Sequence, residues 1–516
     1  MPSEFKNEPL TDFSRPEQAA AFERALQEVR AVFGRTYPLW IDGREVQAAE
    51  TFASFNPAQP DEILGHFQKG ELQHADAAIE AAHRAFSTWK DTSPQARADL
   101  LFRAAARMRE RKHWFSAWMV YEVGKSWAEA DADTAEAIDF LEFYGREMLR
   151  YAAEQPLTRL PGEHNELVYI PLGVCVVIPP WNFPCAILAG MTTAALVTGN
   201  TVVLKPSSDA PAIAWQVMEL LREAGVPDGV LNFVPGPGGA IGNRLVEHPK
   251  TRFIAFTGSK EVGLGINERA ARHQPQQIWI KRVVAEMGGK DSIIVAEDAD
   301  LDKAADGVVA SAFGFQGQKC SAASRAIVDR KVYGEFLDKL VERTRRISVG
   351  PPQERSTHMG PVVNRGAQQK MLAYIETAKR EGGRLLLGGE PGPDAGWYVQ
   401  PTLFADVDPK ATIAQEEIFG PVLAIIKAKD FDDALHIAND TQFGLTGAVF
   451  TDNEEKLERA RDEFFVGNLY LNRKCTGALV GVHPFGGFNM SGTDSKAGGR
   501  DYLLLFTQAK VVTQKM

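Results

Sequence analysis

One cysteine of this sequence stands in a setting that could make it a nucleophile. Cys320 comes directly after Lys319 and ends a polar, glycine-rich stretch that begins at Phe313. A free cysteine has a pKa of about 8.5, and an adjacent cation together with backbone donors would lower that value and favour the thiolate. The alternative is a cysteine that packs as a small hydrophobic residue. The local composition supports both interpretations equally, so the rest of the chain has to separate them.

The bulk properties describe an ordinary globular protein without an anionic partner. The chain has 516 residues, 44% of them hydrophobic and 24% charged, which predicts at least two domains. A net charge of −10 argues against a nucleic-acid or anionic-membrane surface. The cysteines form no CxxC pair and the histidines no HExxH motif, so we expect no metal site and no disulfide framework. A reducing, cytoplasmic compartment is the default expectation.

Two segments bear on membrane targeting. The first ten residues contain no apolar core of a secretory signal. Residues 167–204 carry no charge, but Pro171, Pro179, Pro180 and Pro184 interrupt them. We therefore expect a buried strand, a turn and a buried helix there rather than a membrane-spanning helix. The sequence predicts a soluble protein.

Strands and helices alternate along two stretches of the chain. In the first stretch, apolar and β-branched runs predict strands that are each followed by a helix, at 173–178, 201–205, 230–234 and 253–256. A second alternation runs from about 293 to 450 and contains Cys320. This pattern is typical of parallel sheets covered by helices on both faces. We predict an α/β fold with two Rossmann-type parallel-sheet domains, whose ligands bind beyond the carboxyl ends of the strands.

Glycine-rich loops follow two of the predicted strands. One spans residues 235–242 and the other residues 257–263. Neither has the strict GxGxxG spacing, and each alone is compatible with ordinary turn chemistry. Two in succession, each opening a helix, predict a phosphate cradle made of amide groups. The expected ligand is a dinucleotide.

Five further motifs accompany Cys320 in a fixed order. They are Pro180-Trp-Asn-Phe-Pro184, Val203-Leu-Lys-Pro-Ser207, Phe256-Thr-Gly-Ser259, Ala285-Glu-Met-Gly-Gly-Lys290 and Gln415-Glu-Glu-Ile-Phe-Gly-Pro421. In this order the chain resembles the aldehyde dehydrogenase superfamily from about residue 40 to the C-terminus. Residues 476–487 and 491–499 are similar to the branch of that superfamily that oxidises L-glutamate 5-semialdehyde.

The resemblance implies oxidation of an aldehyde through a covalent thioester. Cys320 would attack the aldehyde carbon, and Asn182 would donate to the oxyanion together with the Cys320 backbone N–H. Glu286 would activate the hydrolytic water, and burial would raise its pKa toward about 6–7. The alternatives are a turn role for Asn182, between two prolines, and a solvated loop charge for Glu286.

The resemblance also implies a set of cofactor residues. Lys205 would bind the adenosine ribose, Ser259 the pyrophosphate and Glu417 the nicotinamide ribose. The full predicted set is Ile178, Pro180, Trp181, Lys205, Ser207, Ser208, Gly238, Gly242, Thr257, Gly258, Ser259, Gly288, Glu417 and Phe419. Ser208 stands where NAD-specific members often carry an acid, so NAD is expected as the cofactor, with NADP tolerated.

A small-molecule substrate with a carboxylate and an ammonium would lie beside the nucleophile. The backbone of Gly477 and Ala478, with the Ser321 hydroxyl, would hold the carboxylate as an anion nest. Glu136 would lie near Lys319, which would then be paired rather than free. The predicted substrate residues are Glu136, Lys319, Ser321, Gly477, Ala478 and, packing on the aliphatic stem, Phe485.

Two other functions remain open at this point. A different aldehyde dehydrogenase, acting on succinic semialdehyde or passing the acyl group to coenzyme A, would share most of these motifs. Transfer to a thiol needs no water-activating carboxylate, so Glu286 argues against the second. An inactive dehydrogenase-like scaffold would not need Cys320, Glu286 and Asn182 together.

The predicted domain boundaries follow the motifs. Residues 1–155 and 171–284 form the dinucleotide-binding domain, and residues 285–485 the catalytic domain. Residues 156–170, predicted as a projecting hairpin, and residues 486–516 form an oligomerisation element. The apolar C-terminal segment of this element is predicted as a strand, and we expect it to pair with another subunit. The predicted assembly is a homo-oligomer, either a dimer or an assembly of dimers, with no nucleic-acid and no membrane partner.

Overall fold

The computed structural model describes residues 4–516, so the first three residues of the predicted dinucleotide-binding domain lie outside the described chain. Within that range the chain forms two seven-stranded, mostly parallel sheets with helices packed on them. The predicted α/β class is confirmed. The domain boundaries stay a prediction.

The N-terminal part of the chain is mainly helical. It contains α1 (Pro16–Arg30), β1 (Arg35–Tyr37), β2 (Leu39–Ile41), β3 (Arg44–Val46), β4 (Thr51–Asn56), β5 (Gln59–Gln68), α2 (Leu72–Trp89), α3 (Pro94–Glu110), α4 (Lys112–Val123) and α5 (Trp127–Ala152). Apolar spacing from Pro94 to Val123 predicts one helix that starts at Thr92 and Ser93. This start is confirmed, because the Ser93 side chain accepts a hydrogen bond from the Ala96 N–H. The segment predicted as one helix from Pro94 to Val123 is in fact two helices that meet at Arg111.

The first large sheet has the strand order β11-β10-β7-β8-β9-β2-β3. After the N-terminal part, the chain continues with β6 (Glu163–Pro171), β7 (Val174–Ile178), α6 (Ala186–Val197), β8 (Thr201–Leu204), α7 (Pro211–Glu223), β9 (Leu231–Phe233), a π-helical turn (Gly238–Gly242), α8 (Asn243–Glu247), β10 (Thr251–Thr257), α9 (Lys260–Ala271) and β11 (Arg282–Glu286). β6 belongs to a separate two-stranded sheet. In β7, Val174 and Val176 pack into one buried cluster, whereas Cys175 and Val177 pack into another. Apolar residues on both faces of this strand are the reason for the uninterrupted apolar run.

The second large sheet has the order β14-β15-β16-β13-β12-β18-β19. This part of the chain contains β12 (Asp291–Val295), α10 (Leu301–Phe313), a 3₁₀ turn (Gly314–Gly317), β13 (Ala323–Asp329), α11 (Tyr333–Thr344), α12 (Arg365–Arg380), β14 (Arg384–Leu387), β15 (Thr402–Ala405), α13 (Thr412–Gln415), β16 (Val422–Ala428), α14 (Phe431–Asn439), β17 (Phe443–Gly444), β18 (Thr446–Phe450), α15 (Glu454–Glu463), β19 (Asn468–Leu471) and β20 (Phe488–Asn489). Only β14 pairs antiparallel within this sheet. Cys320 lies between the 3₁₀ turn and β13, as the second alternation predicts.

The C-terminus corrects two predictions. The hairpin predicted within residues 157–170 is wrong, because residues 163–171 are one strand, β6, which pairs antiparallel with β21 (Thr507–Lys515) along its whole length. The strand predicted over 502–513 starts later, since Tyr502–Phe506 is a 3₁₀ turn with buried rings. The C-terminal strand therefore finds its partner within the same chain. The resulting β6–β21 ribbon leaves Val511 62% exposed.

No helix within residues 4–516 combines the length and the apolar character that crossing a membrane requires. The uncharged segment 167–204 contains two short strands and the twelve-residue helix α6, besides the end of β6.

Candidate active site

The three predicted catalytic residues, Asn182, Glu286 and Cys320, come from separate segments of the chain that meet at Cys320. The Asn182 side chain, 3% exposed, donates from Nδ2 to the Gln318 carbonyl oxygen at 3.1 Å. A Cβ added at Gly289 would lie 2.6 Å from the Cys320 carbonyl oxygen, so the loop after Glu286 passes directly against the cysteine. The charge of Glu286 contributes to the raised pKa of Cys320. The fold thus brings together residues that are far apart in the sequence.

Cys320 is the accessible cysteine. It is partly exposed, whereas Cys175, Cys185 and Cys475 are buried. Burial raises the pKa of the Cys320 thiol, and so do nearby carboxylates, of which Asp291 has the largest effect. Both effects are opposite in direction to the expected lowering of this thiol's pKa.

Lys319 does not activate the neighbouring thiol, because its charge is taken up elsewhere. The Lys319 ammonium forms an ion pair with Glu129 at 2.7 Å. The predicted pairing with Glu136 is corrected accordingly: Glu136 is partly exposed, and among the charges that affect its pKa Lys319 has the smallest effect. Burial, reinforced by Asp133, raises the pKa of Glu136 to about 8.

The turn before Cys320 has an unusual backbone. Phe315, Gln316 and Gly317 all have positive φ, at 47°, 57° and 66°. Only glycine fits at 317, since a Cβ there would lie 2.4 Å from the Gly420 carbonyl oxygen. The buried Gln316 amide holds the turn by donating to the carbonyl oxygens of Gly124 and Pro361 at 2.9 and 2.7 Å. Such strained backbone persists only where the surroundings fix it.

A buried lysine that sequence reasoning missed connects this turn to the rest of the site. Lys125 is fully buried, forms an ion pair with Asp133 at 2.8 Å, and lies 4.0 and 4.6 Å from the ring centroids of Phe183 and Phe315. Asp133 also accepts the Ala186 N–H at 2.7 Å. Lys125 thereby joins α5, the Asn182 turn and the approach to Cys320. Its neighbourhood in the sequence carries no motif that would have indicated this role.

Glu286 ends β11 and is held by a loop near the C-terminus. Its Oε1 accepts a hydrogen bond from the Ser495 hydroxyl, and its buried Oε2 has no hydrogen-bond partner within residues 4–516. Burial raises the pKa of Glu286 to about 8, against the lowering effects of Ser495 and Lys496. The expected direction of the shift is confirmed. The contact with Ser495 could not be predicted, because the two residues are far apart in the sequence.

The predicted nicotinamide-side residues also meet. The Gly289 N–H donates to Glu417 at 3.0 Å, and a Cβ at Gly288 would collide with the Glu417 carboxylate. Burial raises the pKa of Glu417. The Phe419 ring, placed by a backbone with positive φ, packs edge-on against Trp181 with ring centroids 5.5 Å apart.

Lys205 lies at the predicted adenosine side of the crevice. It is 4% exposed, and burial lowers its pKa to about 8. Among the described residues, its ammonium donates to the neighbouring Pro206 carbonyl oxygen alone, at 3.0 Å. A Cβ at Gly242 would approach the Lys205 side chain to 3.9 Å, and one at Gly238 would meet nothing within 4 Å. This side therefore combines a buried cation with free hydrogen-bonding capacity and an open glycine surface.

The remaining predicted cofactor residues lie on adjacent loops. The Ser208 hydroxyl donates to the Gly236 carbonyl oxygen at 3.3 Å, and Ser207 accepts the Asp209 N–H at 3.3 Å. Ser259 caps the twelve-residue helix α9, its hydroxyl accepting the Val262 N–H at 3.4 Å. The others are Ile178 at the end of β7, Pro180 in the following turn, Thr257 at the end of β10, whose hydroxyl contacts Met191, and Gly258, whose N–H donates to the Glu286 carbonyl oxygen. With the amides at the start of α9, these groups fit a dinucleotide.

The predicted substrate loop runs beside the nucleophile. The Ser321 carbonyl oxygen accepts from the Cys475 thiol at 3.4 Å, which places residues 475–478 next to residues 320–321. Gly477 has a positive φ of 80°. Phe485 is tied to Ala497 through backbone hydrogen bonds. No hydrogen bond or ring contact in the described chain joins the Phe485 side chain to Cys320.

The fold and the site define a class: a two-sheet α/β protein with a dinucleotide crevice and with a cysteine, an amide and a carboxylate at its mouth. The sequence profile of the aldehyde dehydrogenase family matches residues 41–512, and the chain belongs to that family. The predicted resemblance is confirmed.

Individual relatives are similar over the whole length. A 1-pyrroline-5-carboxylate dehydrogenase of Geobacillus thermodenitrificans is 59% identical, with all of both chains covered. A crystal structure of 1-pyrroline-5-carboxylate dehydrogenase from Thermus with bound NAD has a TM-score of 0.98 at 53% identity, covering 100% of this chain and 99% of that one. Proline utilization A from Bdellovibrio bacteriovorus also has a TM-score of 0.98, at 46% identity, with 100% of this chain but 54% of that chain covered.

Proposed function

We propose that this enzyme oxidises L-glutamate 5-semialdehyde, which is in equilibrium with 1-pyrroline-5-carboxylate, to L-glutamate, with NAD as the hydride acceptor. The observation that carries this proposal is the full-length similarity to proteins of that name, together with the convergence of Asn182, Glu286 and Cys320 at the mouth of the crevice. The step belongs to proline and arginine degradation.

In the proposed mechanism the Cys320 thiol releases its proton to solvent, and its sulfur adds to the aldehyde carbon, which forms a tetrahedral thiohemiacetal. The negative charge moves onto the aldehyde oxygen, where the Asn182 amide and the Cys320 N–H donate hydrogen bonds. For this purpose Asn182 turns from the Gln318 carbonyl oxygen, to which its amide donates in the structure. NAD, when bound, accepts the hydride that leaves this carbon, so the aldehyde is oxidised to a thioester.

Glu286 completes the reaction as a general base. Its carboxylate takes a proton from water, the resulting hydroxide adds to the thioester carbon, and the Cys320 thiolate leaves as glutamate forms. With a pKa of about 8, Glu286 is close enough to neutrality to accept a proton and to give it up again. The buried Oε2, which has no partner among the described residues, offers the site for that proton.

We assign the cofactor contacts as the sequence predicts them. Lys205 binds the adenosine ribose, the amides after Ser259 bind the pyrophosphate, and Glu417 and Phe419 flank the nicotinamide end. Ser208 contributes no carboxylate beside the ribose, so charge repulsion does not exclude NADP. We still expect NAD to be used better than NADP.

The remaining substrate and assembly assignments belong to the same proposal. Gly477, Ala478 and Ser321 bind the substrate carboxylate, and Glu136 its ammonium, while Phe485 packs on the stem. The enzyme forms a homo-oligomer through the exposed β6–β21 ribbon. Free cysteines throughout the chain fit a reducing cytoplasmic location.

Steady-state kinetics test the function directly. The rate of NADH formation at 340 nm is measured with L-glutamate 5-semialdehyde and with succinic semialdehyde, each with NAD and with NADP. We expect the highest kcat/KM for the glutamate semialdehyde with NAD, and no activity for Cys320→Ser. A higher kcat/KM for succinic semialdehyde would contradict the substrate, and activity unaffected by Cys320→Ser would contradict the mechanism.

A further inference from the structure

An arginine without a role in the proposed mechanism, Arg473, holds the shape of the loop that would bind the substrate carboxylate. Arg473 donates from Nη2 to the carbonyl oxygens of Thr476 and Gly477, at 3.0 and 3.4 Å. Its guanidinium is itself fixed, because it lies 4.4 Å from the ring centroid of Tyr470 and its Nη1 is 3.3 Å from Nε2 of His483. Two consecutive carbonyl groups are thus held on the side of the loop that faces Arg473.

This arrangement determines where the neighbouring amides point. In a trans peptide the C=O and the N–H of one unit point in opposite directions. Since Arg473 holds the carbonyls of Thr476 and Gly477, the N–H groups of Gly477 and Ala478 point away from it. Neither N–H has a hydrogen-bond acceptor within residues 4–516. Both are therefore available to an anion.

A second cation lies on the same loop. A Cβ added at Gly477 would be 3.4 Å from Cε and 3.6 Å from Nζ of Lys474, so the Lys474 side chain lies directly along the loop. Lys319 acts on Lys474 as a like charge, and Lys319 is itself paired with Glu129. The three cations Arg473, Lys474 and Lys319 stand against two carboxylates: Glu129, which pairs with Lys319 and also acts on Lys474, and Glu136, whose ionised form is disfavoured by burial. The balance around the amides is therefore positive.

We propose that Arg473 and Lys474 make this enzyme selective for aldehydes that carry a carboxylate at the opposite end. Arg473 is a positioning residue that aims the Gly477 and Ala478 amides at the anion. Lys474 is a specificity-determining residue that supplies the attracting charge. The inference rests on the proposed function, since it deepens the account of how that site takes its substrate.

The charge of the substrate distinguishes this role from a purely structural one. A residue that only stabilises the loop affects all aldehydes alike, whereas a carboxylate-selecting residue affects charged ones. L-glutamate 5-semialdehyde and the uncharged butanal therefore form a matched pair of substrates. Competitive inhibition by glutarate, measured against butanal, adds a binding readout that does not require the semialdehyde to be a substrate.

The main test compares the parent enzyme with Lys474→Met, Lys474→Arg and the control Lys303→Met, whose lysine is exposed on α10. For Lys474→Met we expect KM for the glutamate semialdehyde and Ki for glutarate to rise about tenfold, which corresponds to about 1.4 kcal/mol. We expect kcat to change less than twofold and butanal kinetics to stay the same. Lys474→Arg should recover most of the affinity, and Lys303→Met should match the parent.

The companion variant Arg473→Met should raise the same KM and Ki at least as much, because it frees both carbonyl groups. Equal effects of Lys474→Met on the glutamate semialdehyde and on butanal, or no effect on Ki for glutarate, would overturn the proposal. If the parent oxidises butanal but not the glutamate semialdehyde, the proposed function fails. The glutarate measurement still decides the selectivity for carboxylates in that case.

Discussion

The two sides of the crevice are built in different ways. On the cofactor side, most of the predicted residues follow strands of the first large sheet and lie within a few residues of the strand that places them, whereas Glu417 and Phe419 come from the part of the chain that forms the second large sheet. On the chemical side, Cys320 depends on segments from the whole chain, including those of Lys125, Asn182, Glu286 and Ser495. The cofactor side is a local construction repeated several times, whereas the chemical side is a single long-range assembly.

Two buried lysines show the same contrast. Lys125, on the chemical side, is surrounded by a carboxylate and two aromatic faces. Lys205, on the cofactor side, has an adjacent carbonyl group as its one hydrogen-bond partner within residues 4–516. A buried cation that already has a counter-ion serves the structure, whereas one without a counter-ion is ready to receive a ligand. The variants of Lys125 and Lys205 below test this contrast.

The largest effect is expected for Lys125→Met, which leaves Asp133 buried without its cation. Removal of one partner from a buried ion pair costs about 3–5 kcal/mol. We expect a clearly lower midpoint of urea denaturation together with a loss of activity.

The double variant Lys125→Met/Asp133→Asn serves as its control. It removes both charges and keeps an acceptor for the Ala186 N–H, so it should recover most of the stability. A Lys125→Met protein as stable as the parent would show that this pair does not hold the chemical side together.

An intermediate effect, confined to cofactor binding, is expected for Lys205→Met. Methionine keeps the buried stem, and loss of a hydrogen bond from a charged group costs about 1.5–3 kcal/mol. KM for NAD should therefore rise about tenfold to a hundredfold, with kcat and the urea midpoint little changed. Kinetics with varied NAD, with the exposed Lys303→Met as control, measure this. A loss of stability instead would place Lys205 in the same class as Lys125.

A smaller effect is expected for Ser495→Ala, which removes the hydroxyl that donates to Glu286. That hydrogen bond lowers the pKa of Glu286, so its loss raises the pKa. Because the base must be ionised, activity falls as pH drops through this pKa, and the acid limb of the profile should move to higher pH by about one unit. Ser495→Thr should retain the parent profile. An unshifted limb for Ser495→Ala would mean that Ser495 does not tune the base.

What could be predicted from sequence follows the same division. The strands of the first large sheet could be predicted because β7 (Val174–Ile178) and the strands beside it are apolar on both faces and are followed by turn residues. The raised pKa of Glu286 was also predictable, since a carboxylate in a glycine-rich buried loop is desolvated.

The errors arose where distant residues compete for one partner. Lys319 pairs with Glu129, about two helical turns before Glu136 on α5, so both carboxylates lie on the same face and helical spacing alone does not say which one reaches the lysine. The Pro161-Gly162 pair suggested a local hairpin, but the C-terminal strand, more than 300 residues away, takes the pairing edge of β6. Lys125 lies in no motif, and Ser495, although it lies in the stretch 491–499, gives no sequence signal that its hydroxyl reaches Glu286.

The most direct test of the central claim, that Cys320 carries the acyl group and Glu286 releases it, uses the variant Glu286→Gln. This variant is mixed with NAD and L-glutamate 5-semialdehyde, and NADH is followed at 340 nm while the intact protein mass is recorded. We predict a burst of about one NADH per active site, very slow turnover afterwards, and a glutamyl group added at Cys320. Steady turnover at the parent rate without a burst, or a burst without an adduct on Cys320, would contradict the account.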